Sequence, residues 1–61
     1  MKFIRATDGG RGDPVLIPLD NLQIIIKDRI FFAEMVMEDG TKAPMKYIAV
    51  GPTVAESIVE I

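Results

Sequence analysis

The sequence predicts a small α+β domain. Its mostly antiparallel sheet has four or five strands, a β-meander able to curl toward a barrel, and one C-terminal helix packs on it. Three observations carry this. Two apolar runs, IFFAEMVM and PMKYIAV, flank Glu38-Asp39-Gly40, and Asp-Gly between such runs is a strong hairpin signal. Leu22 to Lys27 (LQIIIK) is rich in β-branched residues, which favour strand. Thr53-Val54-Ala55-Glu56 matches a helix capping box, threonine at the N-cap and glutamate three residues on.

Taken in order, Lys2 to Thr7 reads as a first strand and Asp8 to Asp13 (DGGRGD) as a glycine-rich loop. Val15-Leu16-Ile17 is a short strand bracketed by Pro14 and Pro18, which lack a ladder donor and mark strand ends or an exposed edge. Pro18-Leu19-Asp20-Asn21 reads as a tight turn or one turn of 3₁₀-helix. Leu22 to Lys27 follows, then a charged turn at Lys27-Asp28-Arg29.

The register of the central hairpin follows from its side chains. A two-residue turn would put Met35 and Met37 on one face with Lys42 and Lys46. A three-residue loop with Gly40 left-handed pairs Met35 with Ala43, Ala33 with Met45 and Phe31 with Tyr47. It collects the charges Glu34, Glu38, Lys42 and Lys46 on the other face. A one-residue slip flips every side chain, so the pattern selects the bulged loop. Gly51-Pro52-Thr53 breaks the last strand. Val54, Ile58 and Ile61 then share a helical face. Two turns of helix are not stable alone, so the helix is expected to dock over Phe31, Met35 and Met45 and bury Met35, Ala43 and Met45.

Sixty-one residues, 1–61, make one domain, too small to bury a comfortable core alone. Such domains add disulfides, a metal or a second copy. No cysteine and no histidine are present, so disulfides and the usual zinc ligand sets are absent; no metal or cofactor is expected. Oligomerisation remains. Ile30, Phe32, Ile48 and Val50 form an apolar end on the hairpin face away from the helix, and Ile25 adds to it if its strand is adjacent. These five are the expected oligomer interface.

The net charge of −2 argues against a strong hold on nucleic acid or acidic lipid. The N-terminal MKFIRATDGG lacks a signal peptide's apolar core, and no segment approaches a membrane span. The expected compartment is the cytoplasm.

Several motifs invite chemistry. Arg11-Gly12-Asp13 is an integrin-type tripeptide, but a flexible loop explains it more plainly. Gly9, Gly10, Arg11 and Gly12 could form a backbone nest for an anion. A phosphate loop, however, would run into a helix rather than into Pro14 and a strand. Glu38 and Asp39 lack calcium-loop spacing. Ser57 and the threonines have no histidine to activate them, so no enzyme activity is expected. Met35, Met37 and Met45 suit an adaptable surface, although their alternation reads first as core. Lys2, Arg5, Arg11, Lys27, Arg29, Lys42 and Lys46 could gather beside Phe32 as a basic patch, in loose likeness to small RNA-binding regulators of the CsrA type. A mixed-charge surface is the simpler reading.

The order of elements resembles the short bacterial FlbD-like, or swarming-motility SwrD-like, proteins. The matching residues are Ile17-Pro18-Leu19-Asp20-Asn21-Leu22, the Asp39-Gly40 turn and Val54-Ala55-Glu56-Ser57-Ile58-Val59-Glu60-Ile61. The loop at Asp8 to Asp13 and the Gly51-Pro52 entry depart from that pattern. The resemblance implies a small C-terminal helix and an accessory or interaction role without an active site.

The expected function is a non-catalytic protein-interaction or regulatory module of bacterial or phage origin. It would form a homodimer or larger homo-oligomer, with a further protein partner unspecified. The alternatives are a small RNA-binding regulator and a phage-encoded protein that sequesters a small anionic ligand.

Overall fold

The computed structural model describes residues Met1–Ile61. Its centre is the hairpin of β4 (Ile30–Val36) and β5 (Lys42–Ala49). Met35 lies opposite Ala43, Ala33 opposite Met45 and Phe31 opposite Tyr47, the register of the three-residue loop. Gly40 sits at φ +87°, a region that favours glycine. Its N–H donates to the Met37 carbonyl at 2.9 Å, and the Met37 N–H donates to the Thr41 carbonyl at 2.7 Å. The Phe31 and Tyr47 rings meet at 5.7 Å between centroids.

Around the hairpin run β1 (Lys2–Asp8), β2 (Pro14–Pro18), β3 (Leu22–Lys27) and β6 (Ile58–Glu60). The order across the sheet is β2-β1-β5-β4-β3, and β6 pairs with β1. The two outermost strands, β2 and β3, are consecutive in the chain and joined by a 3₁₀ turn at Leu19–Asn21. Pro18 ends that path opposite Phe3 of β1, and Leu22 resumes it opposite Ala33 of β4. The Asn21 side-chain amide donates to the Glu34 carbonyl at 3.3 Å. A connection this short between opposite edges forces the sheet to curl. The enclosed face becomes the core: Ile4, Ala6, Ile17, Phe31, Ala33, Tyr47, Ala49 and Val54.

The C-terminal segment corrects the sequence expectation. No α-helix is present; a 3₁₀ turn at Ala55–Ser57 leads straight into β6. The fold is a six-stranded antiparallel sheet, not a four- or five-stranded α+β layer. Of the expected capping box only one bond forms, from the Glu56 N–H to Thr53 Oγ1 at 3.1 Å, and it spans a single turn that Val54 precedes. β1 explains the outcome. One of its edges is shared between β5, along Ala6 to Asp8, and β6, along Lys2 to Ile4. Without β6 the backbone of Lys2 to Ile4 would lack partners on that side. Ile58 and Val59 are β-branched, so a short ladder there outcompetes a two-turn helix.

The same correction reaches the methionines. With no helix above them, Met37 and Met45 are 43% and 38% exposed. Met35 and Ala43 are half-buried rather than core. The face was assigned correctly; its cover was not.

Candidate interaction surface

The outward face of the sheet is built from the residues that alternate with the core. Ile30 lies opposite Ile48, and Phe32 lies opposite Lys46 on one side and Ile24 on the other. Three of the five expected interface residues, Ile30, Phe32 and Ile48, therefore gather on one face, each half-buried. The other two fall elsewhere. Ile25 pairs with the core residue Phe31, so it lies on the β3 edge on the core side. Val50, past the end of β5, lines a shallow groove with Arg5, Pro14, Val15 and Leu16.

Charge on the outward face is one-sided. By register and alternation it carries Arg5, Lys27, Lys42 and Lys46. Its one carboxylate among the strands is Glu34, 3.7 Å from Lys42. The remaining cations lie apart: Lys2 pairs across from Glu60, Arg11 pairs with Asp13 at 3.5 Å, and Arg29 Nε donates to the Ala49 carbonyl at 3.1 Å.

β3 is the most exposed strand. Ile24, Ile25 and Ile26 are 59%, 48% and 56% exposed, and the strand's outer edge has no neighbour. Register shifts leave Gln23 and Ile26 without partners in β4. Sequence reasoning named Ile25 but missed Ile24 and Ile26. The available signal was three consecutive isoleucines: a strand apolar on both faces must be either central or covered by something outside it.

The glycine loop has filled its own nest. The Asp8 carboxylate accepts the N–H groups of Gly10 at 2.7 Å and Arg11 at 3.1 Å. The Gly12 N–H donates to the Asp8 carbonyl and the Gly9 N–H to the Lys46 carbonyl. An anion arriving at Gly9 to Gly12 meets N–H groups that already have acceptors. The Gly10 N–H, then that of Arg11, holds the Asp8 carboxyl below the usual aspartate range. The integrin-type tripeptide likewise closes on itself through the Arg11–Asp13 pair.

At the hairpin tip the Thr41 hydroxyl, then its backbone N–H, lowers the Asp39 carboxyl in the same way. Burial, then the charge of Asp8, raises the Tyr47 phenol. Ser57 Oγ accepts the Gly51 N–H and donates to the Thr53 carbonyl, both at 2.8 Å. No three His, Cys, Asp or Glu side chains converge as a metal site. No helix is long and apolar enough to cross a membrane.

Comparison with protein-family models, curated proteins and solved structures finds no match for this chain.

Proposed function

We propose that the chain is a non-catalytic interaction module that works in the cytoplasm as a homo-oligomer, with the exposed isoleucines of the β3 edge as its contact surface. One observation carries this reading. Three consecutive isoleucines, each about half exposed, line an open sheet edge, and soluble proteins normally cover or guard such an edge. The size of the chain supports it, because only nine residues are buried and small domains gain stability by assembling. An accessory interaction role is also what the FlbD-like resemblance implies. The test is mass by light scattering together with thermal melts across a dilution series. A mass of at least twice 6.7 kDa, with melting that falls on dilution, is the expected result. A 6.7 kDa species with concentration-independent melting overturns it.

A second reading is favoured by a separate observation. Arg5, Lys27, Lys42 and Lys46 share the outward face with Phe32, although the chain as a whole is acidic. That face suits a single-stranded RNA, with phosphates on the cations and a base on the ring. Retention of RNA that weakens steeply with salt, and is lost on Lys46→Glu, would favour it over protein contact.

A further inference from the structure

We propose that β3 is the seam of a two-fold dimer, pairing antiparallel with β3 of a second copy so that one sheet runs through both chains. This rests on the interaction reading above and names its partner. The curled sheet presents two outer edges, β2 and β3, and they are guarded differently. β2 begins with Pro14 and ends with Pro18, and neither has the N–H that an incoming strand would use. β3 has no proline, and Gln23 to Ile26 carry no charge. Its one guarding lysine, Lys27, stands at the very end.

Charge selects the second copy and its direction. Stacking two outward faces would set Arg5, Lys27, Lys42 and Lys46 against the same four cations with only Glu34 between them, which is repulsive. Pairing along β3 is not. The strand is entered from Asp20 and left through the turn Lys27-Asp28-Arg29, whose two cations outweigh its one carboxylate. Antiparallel pairing lays the acidic entry of each copy beside the basic exit of the other, at both ends of the seam. Parallel pairing would align like charges. A two-fold axis normal to the sheet, near Ile24 and Ile25, generates the antiparallel arrangement. It brings the isoleucines of both copies together in the middle.

The register shifts at Gln23 and Ile26 confine regular pairing to the centre of the strand. The seam is accordingly smaller than a standard interface of roughly 800 Å² per partner. The dimer should therefore dissociate on dilution.

The absence of cysteine makes the seam directly readable. Single variants Ile24→Cys and Ile25→Cys sit at exposed positions, with Leu16→Cys on β2 and Lys46→Cys on the outward face as controls. Under mild oxidation at least one β3 variant should form a disulfide-linked dimer an order of magnitude faster than either control, because facing strands bring Cα atoms within disulfide range. Independently, Ile25→Lys should lower the mass from twice 6.7 kDa to 6.7 kDa while the folded circular-dichroism signal persists. Faster cross-linking at Lys46→Cys or Leu16→Cys overturns the seam, as does a dimeric mass retained by folded Ile25→Lys; in either case the homo-oligomer reading stands. A wild-type chain that stays monomeric up to millimolar concentration overturns both.

Discussion

Ser57 is a buried hydroxyl with both of its hydrogen bonds made inside the chain, to the Gly51 N–H and the Thr53 carbonyl. The fit is close on the other side too, since a Cβ at position 51 would stand 2.9 Å from Ser57 Oγ. Ser57→Ala leaves a partly buried donor and acceptor unpaired and should cost about 1–3 kcal/mol. Thr53→Ala removes an exposed cap and should cost about 1 kcal/mol. Urea melts of both variants at one concentration check the order, and a smaller loss for Ser57→Ala than for Thr53→Ala would refute the role of Ser57 as a clip between Gly51 and Thr53. Titration adds a second residue-scale expectation. The folded pKa of Tyr47 is raised, so its contribution is complete below the unfolded value of about 10 and is lost as pH rises through the higher folded value. The folded pKa values of Asp8 and Asp39 are lowered. Their contribution is complete above the unfolded value and is lost as pH falls through the lower folded one. Stability followed from neutral to alkaline pH should decline only above about pH 10 in wild type, and that decline should shrink in Tyr47→Phe. The role of Ser57 could not be read from the sequence, because its partners lie six and four residues back in a turn that the capping pattern assigned to a helix.

At the scale of elements, local signals and tertiary demand part company at the C-terminus. The strands and the hairpin register were legible because alternation leaves one face to bury, and Asp39-Gly40 fixes the loop. The Val54 to Ile61 segment was not legible, because its spacing suits a helix and its Ile58-Val59 pair suits a strand. What decides between them is the open edge of β1 at Lys2 to Ile4, which no local window contains. A strand and a helix respond oppositely to one substitution. Val59→Thr, a good strand former, should stay within about 0.5 kcal/mol of wild type, while Val59→Ala, the better helix former, should cost up to about 1 kcal/mol. The reverse ranking would sink the assignment of β6. The candidate surface was legible in part for the same reason. Ile30, Phe32 and Ile48 follow from hairpin alternation, whereas placing β3 at an edge required the order of strands.

Across the whole molecule, one small cluster carries the fold. Phe31 and Tyr47 are its largest fully buried members together with Ile4. A domain of this length has roughly 3–9 kcal/mol of stability at ordinary values per residue. Phe31→Ala, at about 3–5 kcal/mol, should therefore leave little or no cooperative transition, and a sharp melt near the wild-type midpoint would show that the core lies elsewhere. Only the pairing of β1 with β6 brings the two chain ends together. The Met1 ammonium donates to the Ile61 carbonyl at 2.9 Å, and the Ile61 N–H donates to the Met1 carbonyl at 2.9 Å. Topologically the molecule is thus almost a ring, and an opening is tolerated only at an exposed turn that holds neither core residues nor the Gly51–Ser57 contacts. A circular permutant with residue 61 joined to residue 1 by a short glycine linker, opened between Asp39 and Gly40, should fold to the same sheet, because that turn is exposed and holds no core residue. Opening the ring between Gly51 and Ser57 should abolish folding, because the cut severs the clip that delivers β6 to β1.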